Sequence, residues 1–130
     1  MIYLDSSVAL AQILGEDQRP PPALWTERAT ASRLLEYEIW VTLNSRGFAE
    51  THTTTARDLI GGVSLLELSR SVLARAHGPF PAPLRTLDAL HLATVDHLHR
   101  NGEPVRLATY DGRMATIARA MGFPLYDLGN

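Results

Sequence analysis

Four acidic residues stand where carboxylates could work together: Asp5, Glu38, Asp88 and Asp111. Asp5 ends the apolar opening Met1-Ile2-Tyr3-Leu4, and Asp111 follows the apolar stretch Val105 to Thr109. Asp88 lies in the opening turn of one helical pattern, and Glu38 lies early in another. Two carboxylates ~5 Å apart repel by about 3 kcal/mol at an effective dielectric of ~20. A hard divalent cation relieves that repulsion, and oxygen ligands without thiolates favour Mg2+ or Mn2+ over zinc. A centre of this kind polarises phosphoryl oxygens and activates water.

Each acid also has a plainer reading. Asp5 before Ser6-Ser7 can simply cap a helix. Asp88 suits a first turn because of the helix dipole, and Asp111-Gly112 is an ordinary turn pair. Glu38 shares its helix with Glu36, and periodicity does not choose between them: Glu38 stands near Leu34, Leu35 and Val41, Glu36 near Trp40 and Leu43. The case for chemistry is the conjunction, in which acids from two strand ends and two helix starts meet on one rim. His97 and His99, two apart on a helix, point away from each other and do not form a metal pair. His91 falls on an apolar face and reads as a packed, hydrogen-bonded core histidine. Trp25 and Trp40 read as core or partner-interface residues.

The elements that must carry these acids alternate between strand and helix. Met1 to Leu4 reads as a strand, Asp5-Ser6-Ser7 as a turn, and Val8 to Leu14 as a helix ending at Gly15. After Pro20-Pro21-Pro22, Ala23 to Ala29 reads as a short helix; Thr30-Ala31-Ser32 is a brief strand ending in a Ser cap. Leu35, Ile39 and Leu43 recur every four residues, which predicts a long helix over about 33 to 46. One further helix within 48–60, a strand at Val63 to Leu66 behind Gly61-Gly62, and a helix at Ser69 to Ala76 follow. The Pro-rich stretch Gly78 to Pro83 is an ordered loop. Leu87, Leu90, His91, Thr94 and Leu98 then mark the apolar face of a helix, with Thr86 as cap and Asn101-Gly102 as stop. Val105 to Thr109 is a strand, Arg113 to Met121 a helix closed by Gly122, and Phe123 to Leu125 a last strand. This alternation predicts an α/β fold: a three-layer α/β/α sandwich on a central parallel sheet. Asp5 and Asp111, each just past a strand, are then expected at the same carboxyl edge.

Composition bounds the rest. At 130 residues and 45% hydrophobic, the chain is expected to form a single domain, 1–130, around one core. It shows no run of ~20 apolar residues and no secretory layout at its start, so a cytoplasmic protein is expected. With no cysteine, disulfides, thiolate metal sites and thiol nucleophiles are excluded. The net charge of −2 gives no global basic field toward nucleic acid. All 12 basic residues are nevertheless arginine, and they outnumber the ten acids left when the four candidates are set aside. An acidic hole in a mildly basic shell is thus allowed, and guanidinium groups suit phosphate.

Four stretches together resemble one family. The opening I-Y-L-D-S-S-V-A-L, the segment A-S-R-L-L-E-Y-E-I-W, the stretch L-D-A-L-H-L-A-T and the late L-A-T-Y-D-G-R-M match, in order, motifs of the PIN-domain ribonucleases, and within them VapC-type toxins of prokaryotic toxin–antitoxin pairs. The resemblance runs end to end and assigns the family's acids to Asp5, Glu38, Asp88 and Asp111, with Glu36 the neighbouring alternative to Glu38. It implies a PIN-like fold, a Mg2+- or Mn2+-dependent endoribonuclease, an RNA substrate, a homodimer and a cognate VapB-like antitoxin. No second acid follows Asp111 closely, which departs from the pattern.

On this reading Ser6 and Thr109 orient a ligand carboxylate or a water, and Arg85 and Arg113 are candidates for phosphate contact. A phosphatase or phospho-accepting receiver is the chemical rival. Against it, no second Asp stands two places after Asp5, and the chain has no lysine. The rival from another class is a PIN module that binds RNA or a partner without cleaving.

Overall fold

Ile2–Leu4 forms β1, three residues with no exposed surface. Side chains of a strand alternate between faces, so Ile2 and Leu4 enter one apolar cluster while Tyr3 enters a second. A strand buried on both sides belongs inside a parallel sheet. In the computed structural model, which describes residues 1–129, β1 pairs in parallel with β2 (Ala29–Ser32) and with β4 (Arg106–Ala108). Strand β3 (Val63–Leu66) pairs in parallel with β2, giving the order β3-β2-β1-β4.

Helices cover both faces. The cluster holding Ile2 and Leu4 takes residues from α1 (Ser6–Leu14), α2 (Leu34–Ser45) and α3 (Ala49–Gly61). The cluster holding Tyr3 takes residues from α5 (Thr86–Arg100) and α6 (Gly112–Ala120), and α4 (Arg70–Arg75) packs on α5. Asp96 on α5 joins these last two by accepting from Arg75 Nε at 2.9 Å, and it also receives Arg100 Nε at 3.0 Å. This is the expected three-layer α/β/α sandwich. Among the described residues no helix is long and apolar enough to cross a membrane.

The connectivity selects one part of the carboxyl edge. From β1 the chain adds β2 and then β3 outward, and it returns through α4 and α5 to lay β4 on the other side of β1. The direction reverses between β1 and β4, where open α/β sheets leave a crevice for ligands. Asp5 follows β1 at once and Asp111 follows β4 by three residues.

Several elements differ from the sequence expectation, each for a local reason. The helix expected over Ala23 to Ala29 is a 3₁₀ helix at Pro22–Thr26, and Ala29 joins β2 instead. Short 3₁₀ pieces are a usual connector, and here Pro22 opens it. The last strand, Phe123 to Leu125, reduces to one bridge between Leu107 and Leu125. Pro124 has no N–H to give, although its carbonyl accepts from Leu107 N at 2.9 Å. Thr86 opens α5 rather than capping it, since Arg85 holds the cap position without a side-chain bond. Leu87 is 38% exposed, and the buried face runs instead through Ala89, His91, Leu92, Thr94, Val95 and Leu98. A helix lying over a sheet buries a wider band than one stripe predicts. Helix α2 meets its expectation, with Leu35, Ile39 and Leu43 buried and the Ser32 hydroxyl accepting from Leu34 N at 3.2 Å.

The core under α5 sets a stability test. Leu92 is fully buried in the Tyr3 cluster, so Leu92→Ala should cost about 2–5 kcal/mol in urea unfolding followed by circular dichroism.

Candidate active site

Asp5 occupies the amino-terminal cap position of α1, yet its side chain makes no capping bond. Its Oδ2 accepts instead from Ser7 Oγ at 2.6 Å and from Thr109 Oγ1 at 2.8 Å. The same two hydroxyls accept from the next turn: Tyr110 N donates to Ser7 Oγ at 2.9 Å and Asp111 N to Thr109 Oγ1 at 3.0 Å. The start of α1 and the turn after β4 are therefore stapled together around one carboxylate, itself only 4% exposed. The simple cap reading of Asp5 does not hold.

Asp111, plainly read as half of a turn pair with Gly112, is instead a helix cap. Its Oδ1 accepts from Arg113 N at 3.0 Å and Met114 N at 3.1 Å, capping α6. Asp88 sits in the first turn of α5, half-buried. Its carboxyl is pushed above its ordinary 3.8 by burial first, then by the charges of Asp111 and Asp5; the Glu38 charge adds, and His91 pulls the other way. The charges of acids from three other segments thus reach Asp88.

Glu38 and Glu36 part company. Glu36 turns outward to Arg33 at 2.9 Å, and the same guanidinium holds Glu67 at 2.6 Å. Glu38 turns inward, its side chain 15% exposed. Its Oε2 accepts from Ser6 Oγ at 3.0 Å, and its Oε1 is bonded to His91 Nε2. The His91 ring has no exposed surface, and its Nδ1 lies 2.7 Å from the Tyr3 hydroxyl, which accepts from Ser32 N at 3.1 Å. Burial alone would lower the His91 pKa, but the bond to Glu38 and the charges of Glu38, Asp5 and Asp88 outweigh it and move the imidazole above 6.5. Burial raises the Tyr3 phenol well above its usual range.

Ser6 and Thr109 thus each hold a candidate carboxylate. Ser7 and the Tyr3–His91 pair escaped the sequence reading. The available signals were a second hydroxyl in Asp5-Ser6-Ser7 and a tyrosine within a strand buried on both faces, whose hydroxyl needs a partner. Arg113 reaches the Pro83 carbonyl at 3.3 Å, and Arg85 is exposed ahead of α5. His97 bonds Asn101, and His99 bonds the Val105 backbone. Among the described residues no group of three or more His, Asp or Glu side chains is placed so as to hold a metal ion. The donor chemistry nevertheless suits a hard cation, since every acid of the group offers carboxylate oxygens.

No protein-family model matches the sequence. Two Mycobacterium tuberculosis proteins do: ribonuclease VapC47 is 32% identical over 130 residues, covering 95% of this chain and 93% of that one, and ribonuclease VapC46 is 33% identical over 124 residues, covering 93% and 92%.

The chain belongs to the VapC ribonuclease family.

Solved structures agree on its fold. Mycobacterium tuberculosis VapC20, described as a sarcin-ricin loop cleaving toxin, superposes with TM-score 0.70 at 20% identity over 95% of this chain and 96% of that one. A toxin–antitoxin complex from Klebsiella pneumoniae gives TM-score 0.64 at 18% identity, over 85% and 87%. This VapC-family chain is accordingly a ribonuclease with the PIN-like α/β architecture.

The raised Asp88 carboxyl has a consequence for stability. An acid whose folded pKa exceeds its unfolded one binds its proton more tightly when folded, so stability falls as pH rises from about its ordinary 3.8 upward. Asp88→Asn removes that penalty. In EDTA at about pH 7 the variant should melt above the native protein, and the gap should close below about pH 4. Thermal unfolding at both pH values checks this.

Proposed function

We propose that the chain is the toxin of a toxin–antitoxin pair, a Mg2+- or Mn2+-dependent endoribonuclease whose site is Asp5, Glu38, Asp88 and Asp111. The observation that carries the reading is the end-to-end match to two VapC ribonucleases, with Asp5 and Asp111 just past β1 and β4 where the sheet order reverses; burial and then the charges of Asp111 and Asp5 also raise the nearby Asp88 carboxyl. Like charges gathered in a half-buried place call for a cation. When bound, a divalent cation supplies Lewis-acid help to a phosphoryl oxygen and eases the ionisation of water.

The chain's own residues supply geometry. Ser7 and Thr109 fix Oδ2 of Asp5, and Ser6 and His91 fix the two oxygens of Glu38. Asp111 spends Oδ1 on its helix cap. Asp88 must lose its proton to serve as a ligand, so metal affinity rises with pH through the range where that carboxyl titrates. Arg85 and Arg113 are the proposed phosphate contacts beside Asp88 and Asp111.

An antitoxin partner is supported by the Klebsiella pneumoniae relative in fold, which is a toxin–antitoxin complex. Tyr37 and Val41 on α2, 62% and 47% exposed, offer apolar surface for a second chain, a cognate antitoxin or another copy.

Asp5→Asn keeps an oxygen for both hydroxyls while removing the charge. Cleavage of labelled RNA with Mg2+ or Mn2+ should fall about 10²-fold or more, with thermal unfolding nearly unchanged. EDTA should stop the native protein. A variant that cleaves at the native rate would contradict the assignment, and native protein that binds RNA without metal-dependent cleavage would favour the non-catalytic module.

A further inference from the structure

Of the four acids, Glu38 alone has a long side chain. The three aspartates stand on short stems at element ends, whereas the Glu38 carboxylate is carried within α2 on three rotatable bonds. Something must hold it. Ser6 takes Oε2 from α1, and His91 takes Oε1 from α5. Helices α2 and α5 belong to opposite faces of the sheet, so the His91–Glu38 bond joins the two layers.

The bond has a fixed direction. An ionised carboxylate only accepts, so Nε2 carries a proton toward Glu38. The Ser32 amide only donates, so the Tyr3 oxygen accepts there while contacting His91 Nδ1. Tyr3 and His91 also meet edge to face, their centroids 5.8 Å apart. With both nitrogens engaged and no exposed surface, the ring has one orientation. His91 also lies one turn after Asp88 on the same helix, so the span that presents one acid restrains another.

We propose that His91 is a positioning residue of the ribonuclease site, setting the Glu38 carboxylate through Nε2–H, with Tyr3 and the Ser32 amide bracing the ring from behind. The inference rests on Glu38 belonging to that site. A donor that acts through a ligand carboxylate affects metal affinity and turnover rather than RNA binding.

The test compares His91→Leu, which removes the donor, with His91→Gln, which returns an amide N–H near the Nε2 position. Mn2+ affinity is read by calorimetry, kcat and KM from labelled RNA, and folding from thermal unfolding. The Leu variant should lose about 10–100-fold in Mn2+ affinity and in kcat with KM little changed, and Gln should recover most of both. Tyr3→Phe should show a smaller loss in the same direction, and it carries the test if the Leu variant does not fold. Leu and Phe variants with native Mn2+ affinity and kcat, beside an inactive Glu38→Gln, would reduce His91 to packing and overturn the proposal while leaving the site assignment standing. A loss that Gln does not recover also counts against it. Native activity and Mn2+ affinity in Glu38→Gln would instead remove Glu38 from the site, and the proposal with it.

Discussion

Holding carboxylate charge near the carboxyl edge of the sheet, where like charges brought together would repel, is the constraint on which the proposed site depends. A pair ~5 Å apart at an effective dielectric of ~20 opposes folding by about 3 kcal/mol, comparable to losing a large core side chain. The fold answers with donors. Hydroxyls of Ser6, Ser7 and Thr109, the His91 imidazole and the first amides of α6 all point at acids. Asp88 has the least of this help, and its carboxyl is raised by burial first and then by the charges of Asp111 and Asp5. Natural proteins commonly keep such tension where they act on ligands, because relieving it would remove the affinity that the tension creates.

The architecture that sustains this edge was largely legible in the residues. A strand of Ile2, Tyr3 and Leu4 cannot face water on either side, and Leu35, Ile39 and Leu43 admit only a helix seated on a sheet. What escaped were places where a neighbour overrode a local preference. Leu87 is apolar and in phase with His91 and Thr94, yet it stands at the very start of α5 and stays exposed while those two are buried. The Phe123 to Leu125 stretch has strand-forming residues, but Pro124 limits what it can pair.

The candidate acids were legible in the sequence, and the surroundings of each were not. Periodicity left Glu36 and Glu38 even because both flank the buried row of α2. Arg33 and Glu67 settle the matter by drawing Glu36 outward, and the Glu67 contact crosses from another element. Asp5 looked like a cap and Asp111 like a turn residue, yet it is the Asp111 side chain that caps a helix, while the Asp5 carboxylate is claimed by the hydroxyls of Ser7 and the distant Thr109. His91 was recognisable as a core histidine from its place on α5. Its partner was not, because 53 residues separate it from Glu38 and nothing local encodes that meeting.

The staple between Asp5 and Thr109 spans 104 residues, and β4 reaches β1 only after every other strand has been made. During synthesis on a ribosome, an emerging amino-terminal portion carries Asp5 and Glu38 but lacks the hydroxyl, the cap and the sheet edge that bring the remaining acids to them. Assembly of the acidic edge therefore waits until β4 and the turn to Asp111 have emerged. For a nuclease made in the company of RNA, the proposed site is incomplete until those residues have been made.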